Sequence, residues 1–407
     1  MNSHNQQKKQ DEDAIFLIME KHHQKNGTYI FDFSDYDSYD KFRILLGLED
    51  EILAFGPSMV EIHNFKSGKR FKDGVYYKLN KKWTIENRQS IAQTNDSAVI
   101  GFIFNMEQQE IGLLFSGTGK PSSIKEIVGH SSDELNELLD AYFPEGTNVP
   151  FDELIVRYVE QGSWNEFLSK QHTKLVFDMG TIYTASMVKV KEFISHRDKA
   201  YQLSQPLLLL SHWDVDHYHM LLVAEDETIQ AFTKFVFRNI IPNYTSYRVY
   251  ERFLTLNVAA LYPVRAEIPR KGRSSTKLKM IKSGNHLRMY NGSSHSDRNL
   301  SGIMLSVQTM NIGVVCAADF AYHQLQRDVI TYFCYPHKHY LVVPHHGGDG
   351  GKTIYEPMGA TKMDAVISTG KNPYGHPNGD VIEKLMSIKF HVINFACSPE
   401  HYYLRLR

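Results

Sequence analysis

Ser211-His-Trp-Asp-Val-Asp-His217 follows directly on the apolar run Pro206-Leu-Leu-Leu-Leu210. Leucines in succession, with no polar alternation, predict a strand buried on both faces over 205–210. Four side chains able to hold a cation then follow: His212, Asp214, Asp216 and His217. Charged groups at the end of a buried strand are costly unless they are paired or coordinate a metal. Alternation along an extended segment sets 212, 214 and 216 on one side. A turn at 216–217 could offer the last two side chains to a second ion. The competing reading is a solvated loop that happens to be acidic and His-rich.

Three later segments repeat this design. Val342-Val-Pro-His-His-Gly-Gly348 ends an apolar strand in His345 and His346, with glycines that allow close backbone approach. Val314-Val-Cys-Ala-Ala-Asp319 ends in a carboxylate that could bridge two ions or cap a helix. Asn372-Pro-Tyr-Gly-His-Pro377 carries His376 after the expected strand 364–368. All four clusters fall at C-terminal strand ends, where one layered α/β fold can gather them at one sheet edge.

Around these segments the chain reads as an ordinary globular protein. It has 407 residues, enough for two or three domains, with 42% hydrophobic and 22% charged residues. The net charge of -1 speaks against a uniformly basic nucleic-acid binder, though not against a local basic patch. The 3 cysteines are widely spaced and fit a reducing compartment better than a disulfide framework. The first residues, MNSHNQQKKQDEDAIF, hold no apolar core of signal-peptide length, and the longest apolar run is far short of the ~20 residues a membrane helix needs. The expectation is a cytoplasmic protein without a membrane span.

The expected organisation is a disordered tail over 1–12, an α+β region over 13–150, and a second domain over 151–407. Within the first, 97–104 and 110–115 read as a β-hairpin, resembling the pair 303–307 and 312–317; two ordinary hairpins, or a degenerate duplicated unit, explain that likeness. A helix is expected over 122–143, a turn-rich break at 145–150, and a further helix over 181–195. In the second domain, strands are expected at 154–159, 174–177, 340–343, 364–368 and 401–406, and a helix at 381–388.

In order, Tyr158-Val-Glu-Gln-Gly162, Phe177-Asp-Met-Gly180, Ser211 to His217, Ala318-Asp319, Pro344-His-His-Gly-Gly348 and Tyr374-Gly-His-Pro377 resemble the motifs of the metallo-β-lactamase fold. The branch they resemble is that of the extracytoplasmic domain of the DNA-uptake protein ComEC, over roughly 150–407. The resemblance implies an αββα metallo-β-lactamase sandwich with an additional N-terminal α+β region, and two divalent metal ions, Zn or Mn, at one edge. Carried over, the metal ligands are His212, Asp214, Asp216, His217, Asp319, His345 (or His346) and His376. Asp216 and the spare histidine, His346, are the catalytic candidates; Asn372 and Tyr374 would touch substrate. Asp214 stands where the wider fold has a second histidine, which makes the site oxygen-rich and admits manganese alongside zinc. Tyr218-His-Met-Leu221 departs from the family's glycines after the cluster, and Ser163-Trp164 from its acidic turn.

The expected chemistry is hydrolysis by a dinuclear metal-activated water. Fold alone does not choose among phosphodiesters, carboxylic esters and lactams. The branch resemblance favours a nucleic-acid or nucleotide substrate. So does a basic strip with Arg265, Arg270, Lys271, Arg273, Lys277, Lys279 and Lys282 against Glu267, equally readable as a solvated loop. Aromatics at Phe232, Phe235, Phe237, Tyr244, Tyr247, Tyr250 and Phe253 could stack bases, although core packing is the commoner use. The non-enzymatic alternative is a degenerate metal-domain scaffold or effector, with 13–150 binding a protein partner.

Overall fold

The computed structural model describes residues 14–23, 28–47, 57–63, 71–72, 74–86, 91–94, 100–105, 115–118, 125–143, 151–195, 197–256, 260–267, 277–283, 286–293, 298–309, 311–330, 337–351, 357, 359–370, 372 and 374–406. The expected tail, the break at 145–150 and residues 268–276 of the basic strip, with Arg270, Lys271 and Arg273, lie outside these residues. The chain divides into two compact units: Met1–Glu126 with Tyr183–Lys189 and Ile240–Arg252, and Ile127–Ile182 with Val190–Asn239 and Phe253–Arg407. No helix among the described residues is long and apolar enough to cross a membrane.

The first unit is built on a seven-stranded mixed sheet in the order Ile91–Thr94, Ile100–Asn105, Ser58–His63, Thr28–Phe33, Phe16–His23, Tyr76–Leu79, Phe115–Thr118. Helix Tyr36–Leu46 is started by Asp35, whose carboxylate accepts from Ser38 N at 2.7 Å, and stopped by Gly47 in the left-handed region. Its Tyr39 and Phe42 pack on Phe31 and Phe33 of the sheet. Of the expected hairpin of 97–104 with 110–115, nearly all of the second strand lies outside the described residues. Strand 100–105 pairs with 91–94 and runs parallel to 58–63, while 115–118 pairs with 76–79 at the opposite edge. Apolar alternation marks a strand but leaves its partner to non-local packing.

The second unit places two seven-stranded sheets face to face. One runs Leu261–Val264, Lys234–Arg238, Leu207–Leu209, His172–Phe177, Asn165–Ser169, Glu153–Val156, Tyr402–Arg405. The other runs Lys279–Ser283, Leu287–Asn291, Ile303–Gln308, Ile312–Cys316, Lys338–Val342, Lys362–Ile367, His391–Asn394. Each is part antiparallel and part parallel. Leu207–Leu209 is parallel to both neighbours, as is Lys338–Val342. Between the sheets lies one core, with Leu154, Phe167, Phe177, Leu207 and Leu209 from the first and Leu287, Leu305, Val314, Cys316 and Val366 from the second. Outside the second sheet, Leu325 of helix Tyr322–Asp328 and Val381 and Leu385 of helix Gly379–Ser387 pack on Leu341, Ala365 and Ile367. Outside the first, helix Asp198–Ser204 lies on His172–Phe177. The layers are therefore αββα.

Three boundaries differ from the sequence reading. Helix Ser132–Tyr142 starts later than 122, at a capping box between Ser131 and Glu134. It also belongs to the second unit, because Leu135, Leu138 and Leu139 join Phe151 and Phe167 in the core. The helix expected over 181–195 covers only Met187–Ile194. Its upstream part is held outside the helix: Thr181 Oγ1 donates to Val159 O at 2.6 Å, and Ile182 O lies 2.9 Å from His219 Nδ1. The aromatic segment is core: Phe232, Phe235, Phe237 and Phe253 are buried, with the Phe235 and Phe253 rings stacked at 4.3 Å.

Leu209 ends the strand that delivers the first cluster and is wholly buried. Leu209→Ala is expected to lower unfolding free energy by about 2–5 kcal/mol, read from denaturant midpoints at unchanged slope.

Candidate metal centre

Every candidate ligand leaves the C-terminal end of a parallel strand. In the first sheet, Phe177 and Leu209 are register partners, so Asp178 and Ser211 emerge side by side. In the second, Cys316 pairs with Val342 and Val342 with Val366, which aligns the exits towards Asp319, His345 and Ser368. Hydrogen bonds tie the two edges together: Ile303 N donates to Ser211 O at 2.8 Å, and Ser368 Oγ to Gly162 O at 2.7 Å.

Asp178 organises the first cluster. Its carboxylate accepts from Ser211 N at 2.7 Å and from Ser211 Oγ at 3.0 Å, and lies 2.8 Å from His217 Nδ1. That contact reserves Nδ1 and leaves His217 Nε2 for the site. After the loop, helix Val215–Val223 begins, with Asp216 and His217 in its first turn. Gly180 permits the approach beneath it, since a Cβ there would sit 2.0 Å from Asp216 O. In the second sheet, Ala318, His345 and His346 all take left-handed backbone, as does Asp178 in the first. This conformation costs a side-chain-bearing residue about 1–2 kcal/mol. Such strain gathered on one edge is a mark of function.

The side chains converge. His212 Nε2 is 3.6 Å from carboxylate oxygens of both Asp214 and Asp319, too far for a hydrogen bond. His217 Nε2 is 3.2 Å from Asp319 Oδ1, and His346 Nε2 is 3.5 Å from Asp216 Oδ2. Two triads offer ligand atoms within 4.8 Å of one another: His212, His217 and Asp319; and Asp216, His217 and His346. Asp178, Asp214, Asp216 and Asp319 are all buried. So many carboxylates out of water demand positive charge. Buried His212 Nε2, His217 Nε2 and Asp319 Oδ1 make no hydrogen bond, so three ligand-type atoms face one small space. The donor set fits a divalent metal ion.

Without an ion, protons carry the compensation. Burial opposes protonation of His217, but the carboxylates of Asp178 and Asp319 outweigh it and hold the imidazole pKa well above its ordinary value. Burial likewise favours a neutral Asp319, but the charges of His345 and His217, with the His212 imidazole close by, hold it well below the usual carboxylate range.

Of the other candidates, His345 is 24% exposed at its side chain and its Nδ1 is 2.7 Å from Asp319 Oδ2. It stands outside both triads, whereas buried His346 stands inside one, its Nδ1 2.9 Å from Ser368 O. His376 is half-buried and outside the triads; its ring lies 5.3 Å from that of His345 and stacks on Tyr374 at 5.9 Å. Asn372 is committed to its own loop. Its Oδ1 accepts from Tyr374 N and His376 N, and its Nδ2 donates to Gly370 O and His376 O. Sequence reasoning did not single out Asp178, although Asp-x-Gly after a strand marks it. Arg298 was also missed. Its Nε lies 3.3 Å from Asp214 Oδ1, and no local pattern announces it.

No family model matches the chain, and no curated protein matches it. Among solved structures, it is similar to the metallo-beta-lactamase fold protein YhfI from Bacillus subtilis, with 12% identity, a TM-score of 0.35, and coverage of 62% of this chain and 99% of that one. It is also similar to a mutant of CmlA beta-hydroxylase, with 12% identity and a TM-score of 0.34, covering 67% of this chain and 59% of the hydroxylase. The second unit is by its own strand order an αββα sandwich, with a buried cluster of metal-ligating side chains at one edge of its paired sheets.

Two outcomes are expected. Asp178→Asn frees the His217 ring and weakens divalent-metal affinity by about 10–100-fold in equilibrium dialysis. Because the metal-free His217 pKa is raised, a proton must leave before its nitrogen can ligate. Affinity therefore rises with pH through that elevated pKa, and calorimetry in buffers of differing ionisation enthalpy registers proton release on binding.

Proposed function

We propose that this chain is a divalent-metal-dependent hydrolase acting on phosphodiesters, of the branch its motifs resemble. The observation that carries the reading is the pair of buried triads that share His217, one with His212 and Asp319 and one with Asp216 and His346. A divalent ion held by these side chains would supply a water of lowered pKa and positive charge opposite the developing oxyanion.

The chain's own groups have definable parts. Asp216, buried in the first turn of its helix, has one carboxylate oxygen 3.5 Å from His346 Nε2 and 3.5 Å from Gln161 Nε2. Its role is that of a ligand and an orienting group. His346, inside a triad, serves as a ligand, and the proton-donating part falls to His345. That ring is partly exposed and steadied through Nδ1 by Asp319, so it can reach a leaving oxygen from the solvent side. Tyr374, stacked on His376 and only half-buried, is the rim group placed to touch substrate. The phosphodiester preference is supported by the motif resemblance and by exposed Arg265, Lys277 and Lys279 in the same unit.

The test pairs elemental analysis with a substrate panel: bis-p-nitrophenyl phosphate, single-stranded DNA, RNA and cyclic dinucleotides against a carboxylic ester and a β-lactam. The expected result is bound zinc or manganese with diester turnover. Asp216→Ala should lose both, with kcat down at least about 100-fold. Turnover surviving in that variant, or hydrolysis confined to the ester or lactam, overturns the proposal.

A further inference from the structure

The metal reading leaves a conflict at His217. Both triads draw on this residue, and its Nδ1 is committed to Asp178. One ring nitrogen, with one lone pair, serves one ion at a time. The residue that a second ion would need on the other side is Asp214, and its Oδ1 already faces the guanidinium of Arg298 at 3.3 Å. Arg298 is held in place: its NH1 donates to Trp213 O at 3.3 Å, and its side chain is only 17% exposed. The neighbouring Asn299 reaches His345 Nδ1 at 3.3 Å, so the turn 298–301 lies along the rim of the cluster.

The geometry points to a single-ion centre: one tightly bound divalent ion at the triad of Asp216, His217 and His346, with Arg298 paired to Asp214 and so keeping a second ion out. This rests on the metal-dependent reading above and deepens it. Charge sets the assignment. A guanidinium stays protonated at any working pH, so Asp214 is neutralised permanently. It also repels a cation arriving beside His212, since like charges a few ångströms apart in a partly dry site interact strongly. Asp216 and Asp319 keep their charges for one divalent ion, with Asp319 Oδ1 3.2 Å from His217 Nε2. Arg298 is then the group that limits metal content.

Metal content decides it, measured on the purified full chain after saturation with zinc or manganese and dialysis into metal-free buffer. The expected result is one equivalent in wild type, one in Arg298→Lys, one in Asp214→Asn and none in His217→Ala. Arg298→Met, which removes the charge, should rise to two. Arg298→Gln, which keeps a donor for the Trp213 carbonyl, replaces it should the Met variant fail to fold by circular dichroism. Two equivalents in wild type, loss of the ion in Asp214→Asn, or a folded charge-removing variant that stays at one each overturns this inference and leaves the hydrolase reading standing. No ion in wild type overturns both.

Discussion

The whole second unit depends on one electrostatic constraint. Asp178, Asp214, Asp216 and Asp319 are taken out of water at one edge of two packed sheets. Buried carboxylates are tolerable only where positive charge or several hydrogen bonds meet each of them. Every feature of that edge answers this demand. Asp178 is met by the Ser211 amide and hydroxyl and by His217, Asp214 by Arg298, and Asp319 by three imidazoles.

The scaffold makes such crowding possible by rigidity. Parallel strands covered on both faces can be wholly apolar, and their ends stop in register. Side chains just past them therefore start from fixed points. The loops then absorb the cost. Left-handed backbone at Asp178, Ala318, His345 and His346 turns the chain sharply at this edge, and Gly180 lets the helix carrying Asp216 sit against the 178–180 turn. These conformations are unfavourable locally and persist because the apolar core beneath, from Phe177 to Val366, fixes the strands they leave. Stability stored in the core is thus converted into geometry at the edge.

Function follows from the same balance. A site whose carboxylates outnumber its fixed cations attracts a divalent ion and holds protons in its absence. An arginine beside one of those carboxylates, as Arg298 is beside Asp214, already meets part of that negative charge.

The sequence alone determined the layered class of the second unit and singled out the side chains that its two triads gather. Leu207–Leu209 with the seven residues from Ser211, and the pair 303–308 and 312–316, were legible because buried strands and local charge clusters are written in neighbouring residues. Only tertiary structure decided which of His345 and His346 enters a triad, because left-handed backbone at consecutive residues sends two adjacent rings to different neighbours. It also decided that Asn372 serves its own loop, that strands 100–105 and 115–118 take separate partners, and that Arg298 meets Asp214 across 84 positions of chain. These are contacts between residues distant in sequence, and no local periodicity or spacing encodes which distant partner the folded core will bring within reach.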